Sequence, residues 1–72
     1  MYIVKIHRGA HYTDPIEYEY QTIGSLDHIK EGARVHTQRL PATRNKRTWV
    51  ELFDIQFPDC ALTHWSFDEG TL

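Results

Sequence analysis

"GSLDHIKEGARVHTQRLP", residues 24–41, decides how this chain is organised. Ser25 offers a hydroxyl to the open N–H groups of a first helical turn, Asp27 places a negative charge where the helix dipole favours one, and Pro41 closes the segment. Between these signals Leu26, Ile29, Ala33, His36 and Leu40 recur at helical spacing and make one stripe, while Asp27, Glu31, Arg34 and Gln38 line the other side. Val35 points away from the stripe, towards solvent or a partner. Gly32, which costs about 1 kcal/mol against alanine in a helix interior, sits at the edge of the stripe, where its missing side chain would let the helix lie close on another layer.

On both sides of the helix the pattern changes to a period of two. "MYIVKIHRG" sets Tyr2, Val4 and Ile6 on one face and Ile3, Lys5 and His7 on the other, with Gly9 as its stop. "GAHYTDP" reads as a turn, and "IEYEYQTI" then alternates Ile16, Tyr18, Tyr20 and Thr22 against Glu17, Glu19 and Gln21, as a half-exposed antiparallel strand does. After the helix, "TWVELFDIQF" predicts a third strand with Trp49, Phe53, Ile55 and Phe57 on one face and Val50 and Leu52 on the other; Glu51 interrupts the apolar run, which suggests a central or bulged strand. "PDC" turns the chain into "ALTHWSF", where Ala61, Thr63, Trp65 and Phe67 alternate with Leu62, His64 and Ser66. The tail "DEGTL", residues 68–72, reads as loose.

The order β-β-α-β-β predicts an α+β domain over residues 1–72: an antiparallel four-stranded sheet with one helix packed on one face. In this reading Ile3, Val50, Leu52 and Leu62 fall on the opposite face with nothing to cover them, which makes that face a candidate contact surface. Seventy-two residues hold one core, and a chain this short buries only about 60% of its extended surface. The lone Cys60 excludes an internal disulfide, so self-association is open as a staple. Apolar runs of no more than four residues predict neither a leader nor a membrane span, and place the chain in a cytoplasm with a free thiol.

Net charge of −2 hides an uneven distribution. Between Lys30 and Arg47 six bases stand against one acid, Glu31, whereas Glu51, Asp54, Asp59, Asp68 and Glu69 follow Trp49 with no base among them. The segment "RLPATRNKRTW", residues 39–49, concentrates this positive charge, and Arg34, Arg39, Arg44, Lys46 and Arg47 are the candidate partner-binding residues. Trp49 reads as core rather than contact. Bases beside an aromatic ring suit phosphates and a stacked nucleotide, but a nucleic-acid domain shows a clearly basic balance, which this chain lacks. A protein partner accounts for the arginines, the uneven charge and the uncovered sheet face together.

Other chemistry finds weaker footing. His7 and His11, like Cys60 and His64, stand four apart, but along a strand that spacing separates side chains by about 13 Å, too far to share a zinc ion. Cys60 lacks an orienting third group or an oxyanion loop around it, and reads as a small hydrophobe near a turn. His36 reads as a half-buried packing residue, and Glu17 with Glu19 as the polar face of an edge strand. The glycines at 9, 24, 32 and 70 form no phosphate-binding loop. No enzyme activity, metal or cofactor is expected.

In layout the chain resembles small phage-encoded inhibitors of host machinery, several anti-CRISPR proteins among them: two short strands, "SLDHIKEGARVH" as a Ser-capped helix, a strand opening "TWVEL", and a last strand with its own tryptophan, "LTHWSF". The resemblance implies a non-catalytic protein that covers a functional surface of a bacterial defence or nucleic-acid-processing complex in the host cytoplasm. It assigns no role to any single residue. A nucleic-acid-binding module built on the basic residues 30–47, and a homodimer joined through its sheet face or an edge strand, are the other two classes.

Overall fold

The computed structural model describes residues 1–9, 15–40 and 47–68, the last two through their backbone. Strands β1 (Tyr2–Arg8) and β2 (Ile16–Thr22) precede helix α1 (Leu26–Arg39), and β3 (Arg47–Asp54) and β4 (Thr63–Asp68) follow it. The strands form one antiparallel sheet in the order β2-β1-β3-β4, so β1 and β3 are central and β2 and β4 are the edges. The expected α+β architecture is therefore the one observed.

Helix α1 begins where the side-chain signals put it. Ser25 is extended, and its hydroxyl accepts a hydrogen bond from the His28 N–H at 3.2 Å. The helix ends at Arg39 because Leu40 precedes a proline, whose ring pushes the preceding residue out of the helical region; Leu40 is extended, with φ −74° and ψ 154°. Its N–H still closes the last turn on the Thr37 carbonyl, at 3.1 Å. Gly24 turns the chain from β2 into the helix with φ of 125°, and an added Cβ there would meet the His28 ring at 3.0 Å.

Strand register fixes the core. Val4 stands opposite Leu52 and Ile6 opposite Val50, and these four pack with Ile29 and Ala33 of the helix; Tyr2, Tyr20, Leu40 and Trp65 close the margins. The register corrects one assignment. Val50 and Leu52 belong to the helix-covered core, and Trp49 and Phe53 take the opposite face, because antiparallel pairing gives Val4 and Ile6 partners at even positions of β3. The strand also stops at Asp54 rather than Phe57: the Asp54 carboxylate accepts from the Gln56 N–H at 2.9 Å and its carbonyl from the Phe57 N–H at 2.9 Å, which folds the chain into a turn. Ile55, Phe57 and Leu62 are exposed there.

Two further adjustments concern the helix and β2. The buried line on α1 is Ile29, Ala33 and Thr37, while Leu26 is 44% exposed at the helix start. Thr37 fits because its hydroxyl donates back to the Ala33 carbonyl at 2.9 Å. In β2 the register slips between Ile6 and His7, so Ile16 stands opposite His7 instead of continuing the line of Tyr18 and Tyr20. The turn expected at residues 9–15 lies largely outside the described residues, as do Pro41 and most of the tail.

Candidate binding surface

Antiparallel order sorts the chain into two ends. The end of β1, the start of β2, the end of α1, the start of β3 and the end of β4 all meet at one of them. Arg8, Arg39 and Arg47 stand at this end, and the connection that joins Arg39 to Arg47 carries Arg44 and Lys46 in its sequence. Arg44 and Lys46 themselves lie outside the described residues.

The four candidate arginines and the lysine do not form one set. Arg39 is exposed in the last helical turn, where a cation complements the helix dipole, and Arg47 is exposed at the first position of β3. The Arg47 carbonyl accepts from the Gly9 N–H at 2.9 Å, which ties this end of β1 to β3. Arg34 lies further down the helix and is occupied: its guanidinium forks onto the Glu31 carboxylate one turn earlier, with Nε to Oε2 at 3.2 Å. That hydrogen bond and the positive charge hold the Glu31 carboxyl below the usual carboxylate range, and the carboxylate in turn raises Arg34. Lys30 is directed elsewhere as well, its Nζ 5.4 Å from the centroid of the Trp65 ring.

Arg8 is the base the sequence pattern did not single out. It donates to the Thr37 carbonyl at 3.1 Å, so it clamps the end of β1 to the last turn of the helix and supplies positive charge to the helix C-terminus. A lone base at a strand end gives no local signal of that; the contact spans 29 positions.

Acids share this end. Asp68 stands opposite Arg47 in the β3–β4 register, and Glu17 is exposed on the second residue of β2. By strand position, this end thus carries both signs of charge.

The sheet face away from the helix holds a second group. His7 is only 4% exposed; its Nε2 lies 2.8 Å from Glu51 Oε1, and its ring stacks on Trp49 with centroids 3.9 Å apart and planes 10° from parallel. Lys5 sits 4.6 Å above the Phe53 ring and 3.9 Å from Glu19. The Trp49 Nε1 is buried with no hydrogen-bond partner among the described residues. Such a histidine, covered by an indole and bonded to a carboxylate, fastens β1 to β3 and leaves little surface for a substrate. Trp49 is half-buried here, outside the helix-side core.

The remaining candidates read simply. His36 is half-buried against Tyr20 and Tyr18, at ring separations of 4.3 and 5.3 Å. Cys60 is an exposed free thiol and His64 an exposed residue of β4. Among the described residues no group of three or more His, Cys, Asp or Glu side chains is placed to hold a metal ion, and no helix is long and apolar enough to cross a membrane. His11 lies outside the described residues.

No protein-family model, curated protein or solved structure matches this chain.

Proposed function

We propose that the chain is a non-catalytic binding protein whose partner is another protein, with the basic end of the sheet as its contact surface. The observation that carries this reading is the mixed sign of that end: Arg39 and Arg47 share it with Asp68 and Glu17. A phosphate backbone presents one sign of charge, so carboxylates among the bases weaken every register in which it could lie. A protein surface presents both signs, and opposed pairs then orient the encounter. Arg39 and Arg47, with Arg44 and Lys46 between them in sequence, supply the contacts; Arg34, tied to Glu31, contributes less.

The partner class follows from the resemblance to small phage inhibitors: a bacterial defence or nucleic-acid-processing complex of the CRISPR type, blocked by cover rather than by chemistry. The exposed Cys60 thiol suits the reducing cytoplasm in which such a complex works.

Labelled single- and double-stranded DNA and RNA, titrated with the protein at low and physiological salt, separate this reading from a nucleic-acid-binding module. No binding at low salt is expected. Salt-sensitive binding that weakens evenly with each base removed would overturn the protein reading. With a partner in hand, Arg39→Glu and Arg44→Glu together are expected to lower affinity at least tenfold, and an unchanged affinity would remove this end from the interface.

A further inference from the structure

We propose that the outer edge of β4 pairs antiparallel with the same edge of a second copy of the chain. The two edges of the sheet are built differently. An edge strand exposes alternate N–H and C=O groups that accept another strand, and chains guard against this with prolines, charges and bulges. Edge β2 has all three: Pro15 directly before it, exposed Glu17 and Glu19 along it, and the register slip between Ile6 and His7. Edge β4 has none from Thr63 through Phe67. That stretch, "THWSF", carries no Asp, Glu, Lys, Arg or proline, is rich in residues that favour strands, and holds its register with β3 without a slip from Leu52↔Thr63 to Arg47↔Asp68.

Self-pairing also suits β4 by charge and geometry. A two-fold axis perpendicular to the sheet through Trp65 sets each Trp65 opposite its counterpart and each His64 opposite a Ser66, with no like charges facing among the paired residues Thr63 to Phe67. The same operation on β2 sets Glu19 against Glu19, or Glu17 against Glu19 if the axis passes through Tyr18. Both helices then lie on one face of a continuous sheet. Trp65, half-buried at the margin of each core, gains its counterpart as a neighbour. The occupant is a second copy because a domain of this length buries only about 60% of its extended surface alone and gains most from extending its own core. A pairing of two short strands stands at the low end of interface size, so a dissociation constant on the order of micromolar is expected.

Sedimentation of the full chain across a roughly hundredfold dilution tests the proposal. A mass that rises with concentration towards twice the 8.5 kDa chain is expected. Ser66→Lys, at an exposed position, places like charges beside the axis and is expected to leave a monomer with unchanged circular dichroism, while Glu17→Gln keeps the dimer. Amide exchange on the unaltered protein gives a second readout: protection of β4 amides that grows with concentration. A monomer at every concentration, a dimer indifferent to Ser66→Lys, or concentration-dependent protection on β2 instead of β4 would each overturn the proposal.

Discussion

The two faces of the β1–β3 pair are held together by different physics. On the helix side, Val4, Ile6, Val50 and Leu52 meet Ile29 and Ala33, with the small buried side chains of Thr37 and Thr48 beside them, so stability there follows mainly buried apolar area and close packing. One residue further along each strand, Lys5, His7, Trp49, Glu51 and Phe53 form named pairs: a stacked ring, a histidine–carboxylate bond and a cation over an aromatic face. With no covering layer among the described residues, the second face keeps apolar rings dry by laying polar side chains across them. A small sheet with one helix can therefore order both faces, one by volume and one by pairing.

Removing volume from the covered face should have the largest effect. Ile6 is fully buried, and Ile6→Ala leaves a cavity that neighbours on three elements fill only in part; a loss of about 2–5 kcal/mol is expected from urea unfolding. Ile3→Ala, half-buried on the other face, should cost roughly 1 kcal/mol. Equal losses would break the comparison, because they would mean that the paired face is packed like a core.

On the paired face, identity should matter more than size. Glu51→Ala strips the buried His7 of its carboxylate and is expected to cost about 1–3 kcal/mol. Glu51→Gln, which keeps a hydrogen-bonding oxygen, should cost less. A double-mutant cycle of Glu51→Ala with His7→Ala should return a coupling of about 1 kcal/mol, and a coupling near zero would show that the two side chains act independently.

How much of this was legible in the sequence follows from the range of each interaction. Ser25, Asp27 and the proline after Leu40 act within one helical turn, and the helix bounds are readable from them. Strand alternation is equally local, so β1, β2 and β4 are readable as strands. Which face of β3 meets the helix is not a local property: Trp49, Phe53, Ile55 and Phe57 make the more apolar set, but Ile55 and Phe57 belong to a turn, and the register with Val4 and Ile6 decides for Val50 and Leu52. The same holds for the bases. Their excess is visible in composition, whereas the Arg34–Glu31 pair, the Lys30–Trp65 contact and the Arg8 clamp show that several are already engaged within the fold.

A smaller effect is expected where the helix meets β2, at the margin of the covered face. An alanine Cβ at position 32 would lie 3.7 Å from the Tyr20 hydroxyl, an ordinary contact, so the glycine is not required for close approach. Gly32→Ala should stabilise the protein by about 0.5–1 kcal/mol through the helix interior alone, read as a raised denaturant midpoint with an unchanged slope. A loss instead would show that the margin is as tightly packed as the centre.

The smallest effect at neutral pH, and the most informative about that margin, belongs to Tyr20. Its hydroxyl is buried without a hydrogen-bond partner among the described residues, so Tyr20→Phe removes an uncompensated polar group and should shift stability by about 0.5 kcal/mol or less, on the favourable side. Burial, and secondarily the neighbouring Tyr18, raise the Tyr20 ionisation above the ordinary tyrosine value of 10.0. Below that value both folded and unfolded chains hold the proton, and the stability is fully present. As pH rises through it the unfolded chain ionises first, so stability falls until the pH passes the folded value. Tyr20→Phe should flatten this alkaline loss while leaving the neutral plateau nearly unchanged. If the loss persists undiminished in the variant, the hydroxyl is hydrated in solution, and the covered face ends at Val4 and Ile6 rather than reaching β2.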